Sequence, residues 1–365
     1  MDRVFDHAVV GAGIAGASLA AGLVKDGSVL LLEAEDQPGY HSTGRSAAFW
    51  AESYGGPLIQ PLTTASGPFL ADNGFLSPRG ALTLAREEEK AELDTFVSTF
   101  SALGVRVEPL GRAELEDWLP GLAPQWRNGA YEPDCTDIDV ASLHQLWLGQ
   151  ARQGGAEIVT RARLASARFA DGLWRIETAD GRAFAARVLI NAAGAWADEV
   201  AMASGVAPIG IQPMRRTVAQ LRMGVPVRAD LPLTLGIDGL FYFKPENGRL
   251  WLSPHDETPS PPCDAAPEEL DVAIAIDRFE QVVEWPVLQV ERKWAGLRSF
   301  APDRLPVYGF APGNAAFFWF AGQGGFGIQT APAAAALAAQ LLGAAADPIT
   351  AALDAGRYSP ARFGD

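Results

Sequence analysis

The sequence is poor in cysteine, in basic residues and in long apolar runs, and each shortage excludes a class of protein. Two cysteines in 365 residues, Cys135 and Cys263, are too few for a disulfide framework or a metal cluster, so we expect a reducing compartment and no metal centre. The formal net charge of −15 argues against a surface for nucleic acid or anionic membranes. No apolar run is long enough to span a bilayer, because proline, glutamine and glycine interrupt the alanine-rich stretch 331–346.

The start and the overall composition of the chain narrow the class further. The first apolar strand begins within a few residues of Met1, which leaves no room for a signal peptide. A hydrophobic fraction of 48% over 365 residues is typical of a globular protein of about two domains. We therefore expect a cytoplasmic protein with no integral membrane segment and no nucleic-acid partner, and a peripheral place at the inner face of the membrane stays open.

The most informative stretch is His7–Glu33, which predicts a strand, a glycine-rich turn, a helix and a second strand that ends in an acid. This order is typical of a dinucleotide-binding unit. Gly11 permits the tight turn, Gly13 lets a pyrophosphate approach the backbone, and Gly16 lets the helix pack close to the strand. The N-terminus of the helix offers N–H groups to the phosphates. Glu33 is placed to accept hydrogen bonds from an adenosine ribose.

The segment after this unit, residues 34–48, is rich in small and hydroxyl side chains and lacks the period of a helix or a strand. Ser42, Thr43 and Ser46 are short donors, and Arg45 carries a fork that suits a phosphate. We expect this loop to wrap the pyrophosphate and the ribityl chain, although a plain surface loop is the alternative.

Further along the chain, patterns predict several regular elements. Asp139 is placed as the N-cap of a helix over 140–153, and 87–103 has helical spacing. The segments 241–244 and 249–253 flank a hairpin turn. His144, on the apolar face of the 140–153 helix, is expected to be structural.

Several blocks together carry a resemblance to a known family. They read GAGIAGAS at 11–18, PGYHSTGRSAA at 38–48, NAAGAW at 191–196, QPMRR at 212–216, FYFKP at 241–245, WAGLRSF at 294–300 and QGGFGIQT at 323–330. In order and rough spacing, the chain resembles the D-amino acid oxidase superfamily of FAD-dependent oxidoreductases, and within it the bacterial D-arginine dehydrogenases. The resemblance covers nearly the whole chain.

The resemblance implies an α/β fold with two domains. One is a Rossmann-like FAD-binding domain of the glutathione-reductase type, discontinuous over 1–77, 134–210 and 292–365. The other is an α+β substrate domain on an antiparallel sheet, formed by 78–133 and 211–291. No repeat or low-complexity linker separates them.

The resemblance also implies noncovalent FAD, and neither cysteine lies in the blocks that would contact it. The implied cofactor contacts are Gly11, Gly13, Ile14, Ala15, Gly16, Glu33, Ser42, Thr43, Arg45, Ser46, Ala47, Ala48, Leu164, Ala193, Gly194, Trp196, Gly296, Arg298, Gly324, Gly325, Phe326, Gly327, Ile328 and Gln329. An NAD-dependent dehydrogenase is disfavoured by the GRSAA loop and by the glycine block 322–327.

A substrate carboxylate is best held by a guanidinium, which binds it in bidentate fashion, and Arg298, at the end of a strand that returns to the flavin domain, is the best candidate. A salt bridge to Asp303 is the structural alternative. The resemblance implies that Arg216 is a second arginine facing the carboxylate and that Tyr242 is the phenol of the family's site. It also implies that Tyr54 is a lid and that the Gly325 carbonyl accepts a hydrogen bond from the amine. Arg215, next to Arg216, is an open alternative.

Departures from the D-arginine dehydrogenases predict a different side-chain pocket. Where those enzymes have an acid for the guanidinium, this chain aligns Ala81, and where they have a histidine it has Phe49. Leu233 and Leu235 align with apolar wall positions, and Gln329 completes the pocket. We therefore expect oxidative deamination of neutral, apolar D-amino acids, with D-arginine and D-lysine as poor substrates.

Other functions stay open on the sequence alone. One alternative is oxidation of glycine, secondary amines or 2-hydroxy acids. A second is a flavin-binding protein without turnover. The electron acceptor, whether oxygen, a quinone or another carrier, is not determined by these residues.

Overall fold

The computed structural model describes residues 3–364. In this range the strands are β1 (Val4–Val10), β2 (Val29–Leu32), β3 (Phe49–Trp50), β4 (Leu76–Pro78), β5 (Ala81–Arg86), β6 (Glu108–Gly111), β7 (Trp126–Glu132), β8 (Thr136–Ile138), β9 (Glu157–Val159), β10 (Leu164–Ala170), β11 (Leu173–Thr178), β12 (Ala183–Asn191), β13 (Gln212–Met223), β14 (Leu233–Gly236), β15 (Tyr242–Glu246), β16 (Arg249–Ser253), β17 (Thr258–Pro259), β18 (Val287–Phe300), β19 (Val307–Ala311) and β20 (Asn314–Ala321). The α-helices are α1 (Ile14–Leu23), α2 (Gln60–Asp72), α3 (Lys90–Ala102), α4 (Arg112–Trp118), α5 (Val140–Gln153), α6 (Ala197–Ala203), α7 (Glu269–Glu280) and α8 (Gly327–Leu341).

The first sheet is built around parallel strands in the order β9, β2, β1, β12 and β20, with β19 antiparallel at one end. The strands β10 and β11 add an antiparallel extension to the first half of β12. The apolar runs of β1 and β2 are buried because helices α1, α5 and α8 cover one face, and a second apolar cluster that includes α6 covers the other. The predicted dinucleotide-binding fold is confirmed.

The second sheet has the order β17, β13, β16, β15, β14, β5, β7 and β6, with β18 on the other side of β13. It packs against α4 and α7 through a separate apolar core. Most of its neighbours are antiparallel, as predicted, but β14 and β5 run parallel. These two strands lie far apart in sequence, so no tight turn forces them to be antiparallel. A small third sheet joins β3, β8 and β4.

The long strand β18 belongs to the second sheet and ends beside the loop that follows β20 of the first sheet, where Ser299 pairs with Gly324. β18 pairs with β13 from Val287 to Phe300 without leaving the second sheet. The predicted domain boundary at 291/292 therefore falls inside a continuous strand, and we propose to draw it after Phe300. The pairing matters for the site, because it carries the last residues of β18 to the edge of the first sheet.

The local prediction holds for α5, whereas the segment predicted as helical over 87–103 begins with a different kind of turn. The side chain of Asp139 accepts a hydrogen bond from the N–H of Ser142, 3.0 Å away, and α5 spans the predicted residues. The three glutamates 87–89 form a short 3-10 turn before α3 rather than the first turn of the α-helix. None of the helices in residues 3–364 has the length and apolar content that crossing a membrane requires.

Candidate functional site

A long cavity of about 390 Å³ begins at the turn between β1 and α1 and ends between the two large sheets. Its volume is within the usual range for cofactor and ligand sites. It is lined by most of the predicted cofactor residues: Gly11, Gly13, Ile14, Ala15, Glu33, Ser42, Thr43, Arg45, Ser46, Ala47, Leu164, Ala193, Gly194, Trp196, Gly296, Arg298, Gly324, Gly325, Gly327 and Ile328. Distant segments of the chain therefore meet along one continuous surface.

The turn at the start of the cavity has no room for side chains. Gly11 has φ +100°, and a Cβ there would lie 2.5 Å from the carbonyl oxygen of Ala192. A Cβ on Gly16 would lie 1.8 Å from the carbonyl oxygen of Gly11, so this glycine serves helix packing and does not itself line the cavity. Glycine is required at both positions for steric reasons.

Glu33, at the end of β2, is buried beside this turn. One carboxylate oxygen accepts the N–H of Ala12 at 2.8 Å, and the other accepts the N–H of Glu35 at 3.0 Å. Each oxygen keeps a second lone pair, which suits the ribose hydroxyls that the sequence predicts for this position. On the opposite side, the Thr43 hydroxyl accepts the N–H of Ile14 at 2.9 Å.

Arg45 lines the cavity, but its guanidinium does not have the predicted orientation. It pairs with Asp264 and donates to the carbonyl oxygens of Ala265 and Ala295 at 2.8 and 3.1 Å. The Trp294 indole in turn donates to the backbone carbonyl of Arg45 at 2.9 Å. The phosphate role expected of this side chain is therefore replaced by a role in holding the loop against β18, because a nearby carboxylate satisfies the charge.

The lining of the cavity near Trp196 contains two residues, His41 and Arg163, that the sequence analysis did not single out. His41 packs on Trp196 with ring centroids 4.6 Å apart, and its Nε2 lies 3.1 Å from a carboxylate oxygen of Glu35. Arg163 lies over the same tryptophan at 5.9 Å, beside the predicted Leu164. No local motif marks His41 or Arg163, because each acts only through contacts with remote residues.

These features suit a dinucleotide such as the expected FAD. Gly11 and Gly16 leave no room for a Cβ, and Gly13 caps α1 without a side chain, so the backbone is open to a pyrophosphate. An acid at the adenosine end and hydroxyl side chains along the middle match the groups of the cofactor. Within residues 3–364, no cluster of His, Cys, Asp and Glu is arranged to hold a metal ion.

At the other end of the cavity, Arg298 projects from β18 without an acidic partner among the described ion pairs. Its Nη1 donates to the hydroxyl of Tyr54 at 2.7 Å. A Cβ on Gly325 would lie 2.7 Å from this Nη1, so the guanidinium packs directly on the glycine loop. The alternative salt bridge is not formed, because Asp303 pairs with Arg362 at 2.6 Å.

Arg216 lies on β13 and is 4% exposed. Its Nε donates to the carbonyl oxygen of Asp256 at 2.7 Å, and its Nη2 approaches Glu257 at 3.3 Å, whereas Nη1 is buried with no hydrogen-bond partner. Burial and the neighbouring charge of Arg298 lower the pKa of Arg216 to about 10, so it stays charged at neutral pH. Two adjacent guanidiniums with free donors form an anion site.

Arg215 does not share this site. Alternate residues of a strand face opposite sides of the sheet, and Arg215 pairs with Glu268 and with Asp271, the latter at 2.9 Å. The ambiguity between Arg215 and Arg216 is therefore resolved by the pleat of β13.

A small recess of about 30 Å³ adjoins the arginine site. It is lined by Ser46, Ala47, Ala48, Phe49, Tyr54, Tyr242, Arg298, Gly325, Ile328 and Gln329. Aromatic contacts order its walls, since Phe49 and Tyr54 meet edge to face at 4.8 Å. The recess brings together the predicted lid, phenol and arginine.

Several predicted residues besides Gly16 lie elsewhere than expected. Ala48 and Gln329, predicted as cofactor contacts, line the recess and not the long cavity. Ala81 and the partly buried Leu235 pack with the fully buried Leu233 behind Phe49 and Tyr242, and none of the three lines either cavity. Phe326 packs against Tyr54 and Phe300 instead of lining the cofactor cavity. The pairing of β5 with β14 turns the three wall residues into a second layer, which a one-dimensional alignment does not reveal.

His255 is a residue of this region that sequence reasoning missed. Its ring centroid lies 5.7 Å from that of Tyr242 and 6.5 Å from that of Tyr54. Its Nδ1 lies 2.6 Å from the carbonyl oxygen of Gly239 and must donate to it, which leaves Nε2 as a bare, buried acceptor. Burial, together with Arg216 and Arg298, lowers the pKa of His255 to about 2, so its ring is neutral.

Glu132, at the end of β7, is a second missed residue. It lies directly opposite Ala81 in the sheet and is 3% exposed. Burial raises its pKa to about 7, although hydrogen bonds from Ser53 and from the backbone N–H of Glu52 oppose the rise. No sequence signal marks it, because β7 also contains Arg127 and Asn128 and Glu132 is its last residue.

This shift predicts a pH-dependent stability. Because the folded state binds the proton of Glu132 more tightly, this contribution favours the fold below about pH 4.5 and is lost as the pH rises to about 7. The free energy of unfolding of wild type should therefore fall by on the order of 3 kcal/mol across that range because of Glu132, and Glu132→Gln should lack this decrease. Denaturant titrations of wild type, Glu132→Gln and the exposed control Asp134→Asn at both ends of the range test this. An equal pH slope in wild type and Glu132→Gln would contradict it.

Comparison with known proteins gives a consistent result. The family model for FAD dependent oxidoreductases, DAO, matches residues 6–341. A glycerol-3-phosphate dehydrogenase of Pseudomonas aeruginosa is 30% identical over 208 residues, which is 53% of this chain and only 40% of that protein. The chain therefore spans less than half the length of this relative.

Two solved structures share the fold across essentially the whole chain. The L-proline dehydrogenase from P. horikoshii has a TM-score of 0.86 at 20% identity, covering 100% of this chain and 98% of that one. The glycine oxidase from Geobacillus kaustophilus has a TM-score of 0.83 at 24% identity, covering 99% of both chains. Sequence identities this low show a shared fold and say nothing about a shared substrate.

Proposed function

The chain belongs to the DAO family of FAD-dependent oxidoreductases and uses FAD, and on this premise we propose that it oxidises D-amino acids with neutral, apolar side chains. The products would be imino acids, which hydrolyse to 2-oxo acids and ammonia. The observation that carries the proposal is the pair Arg298 and Arg216 at the end of the cofactor cavity. Arg298 has no acidic partner among the described ion pairs, and Arg216, although paired with Asp256 and Glu257, keeps Nη1 without a hydrogen-bond partner.

The residues of the chain would bind and orient the substrate. When bound, FAD supplies the acceptor for a hydride from the substrate Cα. Arg298 would hold the carboxylate through a bidentate contact, and Arg216 would add charge through its unpaired Nη1. Burial raises the pKa of the Tyr242 phenol, which therefore stays protonated and can donate a hydrogen bond. By the family resemblance, the Gly325 carbonyl would accept a hydrogen bond from the amine.

We infer the preference for an apolar side chain from the lining of the recess beside the arginines. The recess, of about 30 Å³, would have to widen around a side chain as large as that of leucine. Phe49, Ile328 and the methyl groups of Ala47 and Ala48 form its walls, and no acid lines it. The preference for the D-enantiomer rests on the resemblance to the D-arginine dehydrogenases. Tyr54 and Gln329 would close the recess.

A second candidate is the oxidation of glycine or secondary amines, which the names of the glycine oxidase and L-proline dehydrogenase support. Oxidation of a 2-hydroxy acid is less well supported. A hydroxyl must lose its proton, whereas a neutral amine needs no base, and His255 beside the site is a poor base because its pKa is low.

A screen of D- and L-amino acids, glycine, N-methyl amino acids and 2-hydroxy acids with a dye acceptor, repeated with oxygen, tests the proposal. Turnover of neutral D-amino acids supports it, and turnover of only the other classes selects the second candidate. Absence of turnover in FAD-loaded protein would favour a flavin-binding protein without catalysis. The oxygen series identifies the electron acceptor. A cytoplasmic location stays a prediction.

The cofactor should be bound without a covalent link. The lining of the long cavity includes neither cysteine, and Cys135 is fully buried in the apolar cluster behind Phe49. Acid precipitation of purified protein should therefore release FAD into the supernatant and leave a colourless pellet. A yellow pellet, or release of FMN, would contradict this.

A further inference from the structure

We propose that Glu132 is a positioning residue that holds the 51–54 turn, and with it the Tyr54 phenol, over the arginine site. The proposal deepens the proposed function, on which it rests for the role of Tyr54 at the substrate carboxylate. The turn connects β3 to the segment before α2 and forms one wall of the recess. Among the predicted site residues, Gln329 binds one side of this turn, and the residue that binds its other side was not predicted.

The carboxyl group of Glu132 binds the turn at three donors. Oε1 accepts the N–H of Glu52 at 2.7 Å and, more weakly, the N–H of Ser53 at 3.5 Å, while Oε2 accepts the Ser53 hydroxyl. The next residue is Tyr54, whose hydroxyl accepts the Arg298 hydrogen bond. The buried Glu132 side chain therefore binds the two residues that directly precede Tyr54, and Tyr54 contacts Arg298.

The other side of the turn is held by a neutral residue. Gln329 accepts the N–H of Ala51 at 3.3 Å and donates to the carbonyl oxygen of Tyr54 at 3.1 Å. The Glu52 carboxylate, which accepts the Thr64 hydroxyl, points away from Glu132. Gly55 and Gly56 follow with φ +101° and +85°, a left-handed conformation that favours glycine.

The charge state of Glu132 should decide how firmly the turn is held. Hydrogen bonds to an ionised acceptor are about twice as strong as neutral ones, and a protonated carboxyl also loses acceptor capacity. The titratable groups nearest to Glu132 are Glu52 on the turn and Cys135 after β7, and the buried Cys135 thiol, whose pKa is raised, stays neutral. Lys244, Arg79 and Asp137 lie around that thiol and pair with one another. Burial raises the pKa of Glu132, whereas the hydrogen bonds from the turn lower it. Protonation near neutral pH should therefore weaken these hydrogen bonds and loosen the turn, even though it relieves the cost of a buried charge for the fold as a whole.

Amide hydrogen exchange of the holoenzyme tests the inference without a substrate. After correction for the intrinsic rate, protection of a peptide covering residues 50–57 should fall about fivefold as the pH drops from about 8.5 to about 5.5. Glu132→Gln should show the lower protection at every pH, because its amide is neutral. The exposed control Asp134→Asn should follow wild type. Protection of this peptide that is independent of pH in wild type, or equal pH dependence in Glu132→Gln, would overturn the proposal.

Kinetics provide the second readout. The ratio of kcat/KM in wild type to that in Glu132→Gln should fall about fivefold over the same pH range, with kcat less affected, because protonation of the substrate amine lowers both values alike and cancels in the ratio. Glu132→Ala and Ser53→Ala should retain FAD, and their kcat/KM should be equal to that of Glu132→Gln or lower. A Glu132→Gln profile identical to wild type would overturn the role. If no substrate turns over but the exchange result holds, the proposed function fails and the positioning of the turn stands.

Discussion

Replacing Arg298 by alanine should leave a protein that retains FAD and has lost most of its kcat/KM. Removing one partner of a buried, hydrogen-bonded charge pair costs about 2–5 kcal/mol, so the loss should be about thirtyfold to several-thousandfold. The kcat/KM of Arg298→Lys should lie between those of wild type and Arg298→Ala, because lysine keeps the charge and loses the bidentate geometry. The effect should be large because Arg216, the second cation, already spends two donors on Asp256 and Glu257.

A matched control separates this effect from damage to the strand. Arg292 lies six residues earlier on β18 and is exposed, so Arg292→Ala should keep kcat/KM near that of wild type. Steady-state kinetics and the FAD content of the three variants measure the difference. Near-normal turnover in Arg298→Ala would show that the carboxylate is held elsewhere.

Neutral apolar D-amino acids should be better substrates than D-arginine or D-lysine by at least about a hundredfold. Burial of an apolar side chain against Phe49 and Ile328 gains roughly 25 cal/mol per Å². An unpaired guanidinium in the same recess would cost several kcal/mol. The nearest buried acid, Glu132, already accepts three donors of the 51–54 turn and does not line the recess.

Variants of two residues test the origin of this selectivity. Ala81 is buried behind Phe49, so Ala81→Glu alone should mainly destabilise the protein. Ala81→Glu combined with Phe49→His opens the first layer and should raise the ratio of kcat/KM for D-arginine over D-leucine. The ratio is measured with a dye acceptor. A wild-type enzyme that prefers D-arginine would contradict the argument, and would mean that Glu132 or Glu52 reaches the substrate.

Local signals in the sequence predict the dinucleotide unit and several helices correctly. The glycines 11, 13 and 16, the acid at the end of β2 and the Asp139 cap act within a few residues of themselves, so their patterns are complete in one stretch. The family resemblance extends this to the arginines, and the pleat of β13 then separates Arg216 from Arg215.

The parts that the sequence could not predict depend on contacts between distant segments. Arg45 was expected at a phosphate and instead meets Asp264, 219 residues away. Ala81 and Leu233 lie in a second layer because β5 and β14 pair in parallel, and no local pattern encodes that pairing. Glu132 and His255 have no motif, and only burial and unpaired atoms reveal them.

The central claim is that an amino acid bound at Arg298 and Arg216 reduces the FAD of this chain. Anaerobic titration of the holoenzyme with D-leucine, D-methionine and D-phenylalanine measures this directly, since it needs no electron acceptor. We predict that these amino acids bleach the visible flavin absorbance and yield one equivalent of 2-oxo acid per FAD, and that Arg298→Ala bleaches far more slowly. Flavin that stays oxidised with every amino acid, and yet is bleached by dithionite, would contradict the account.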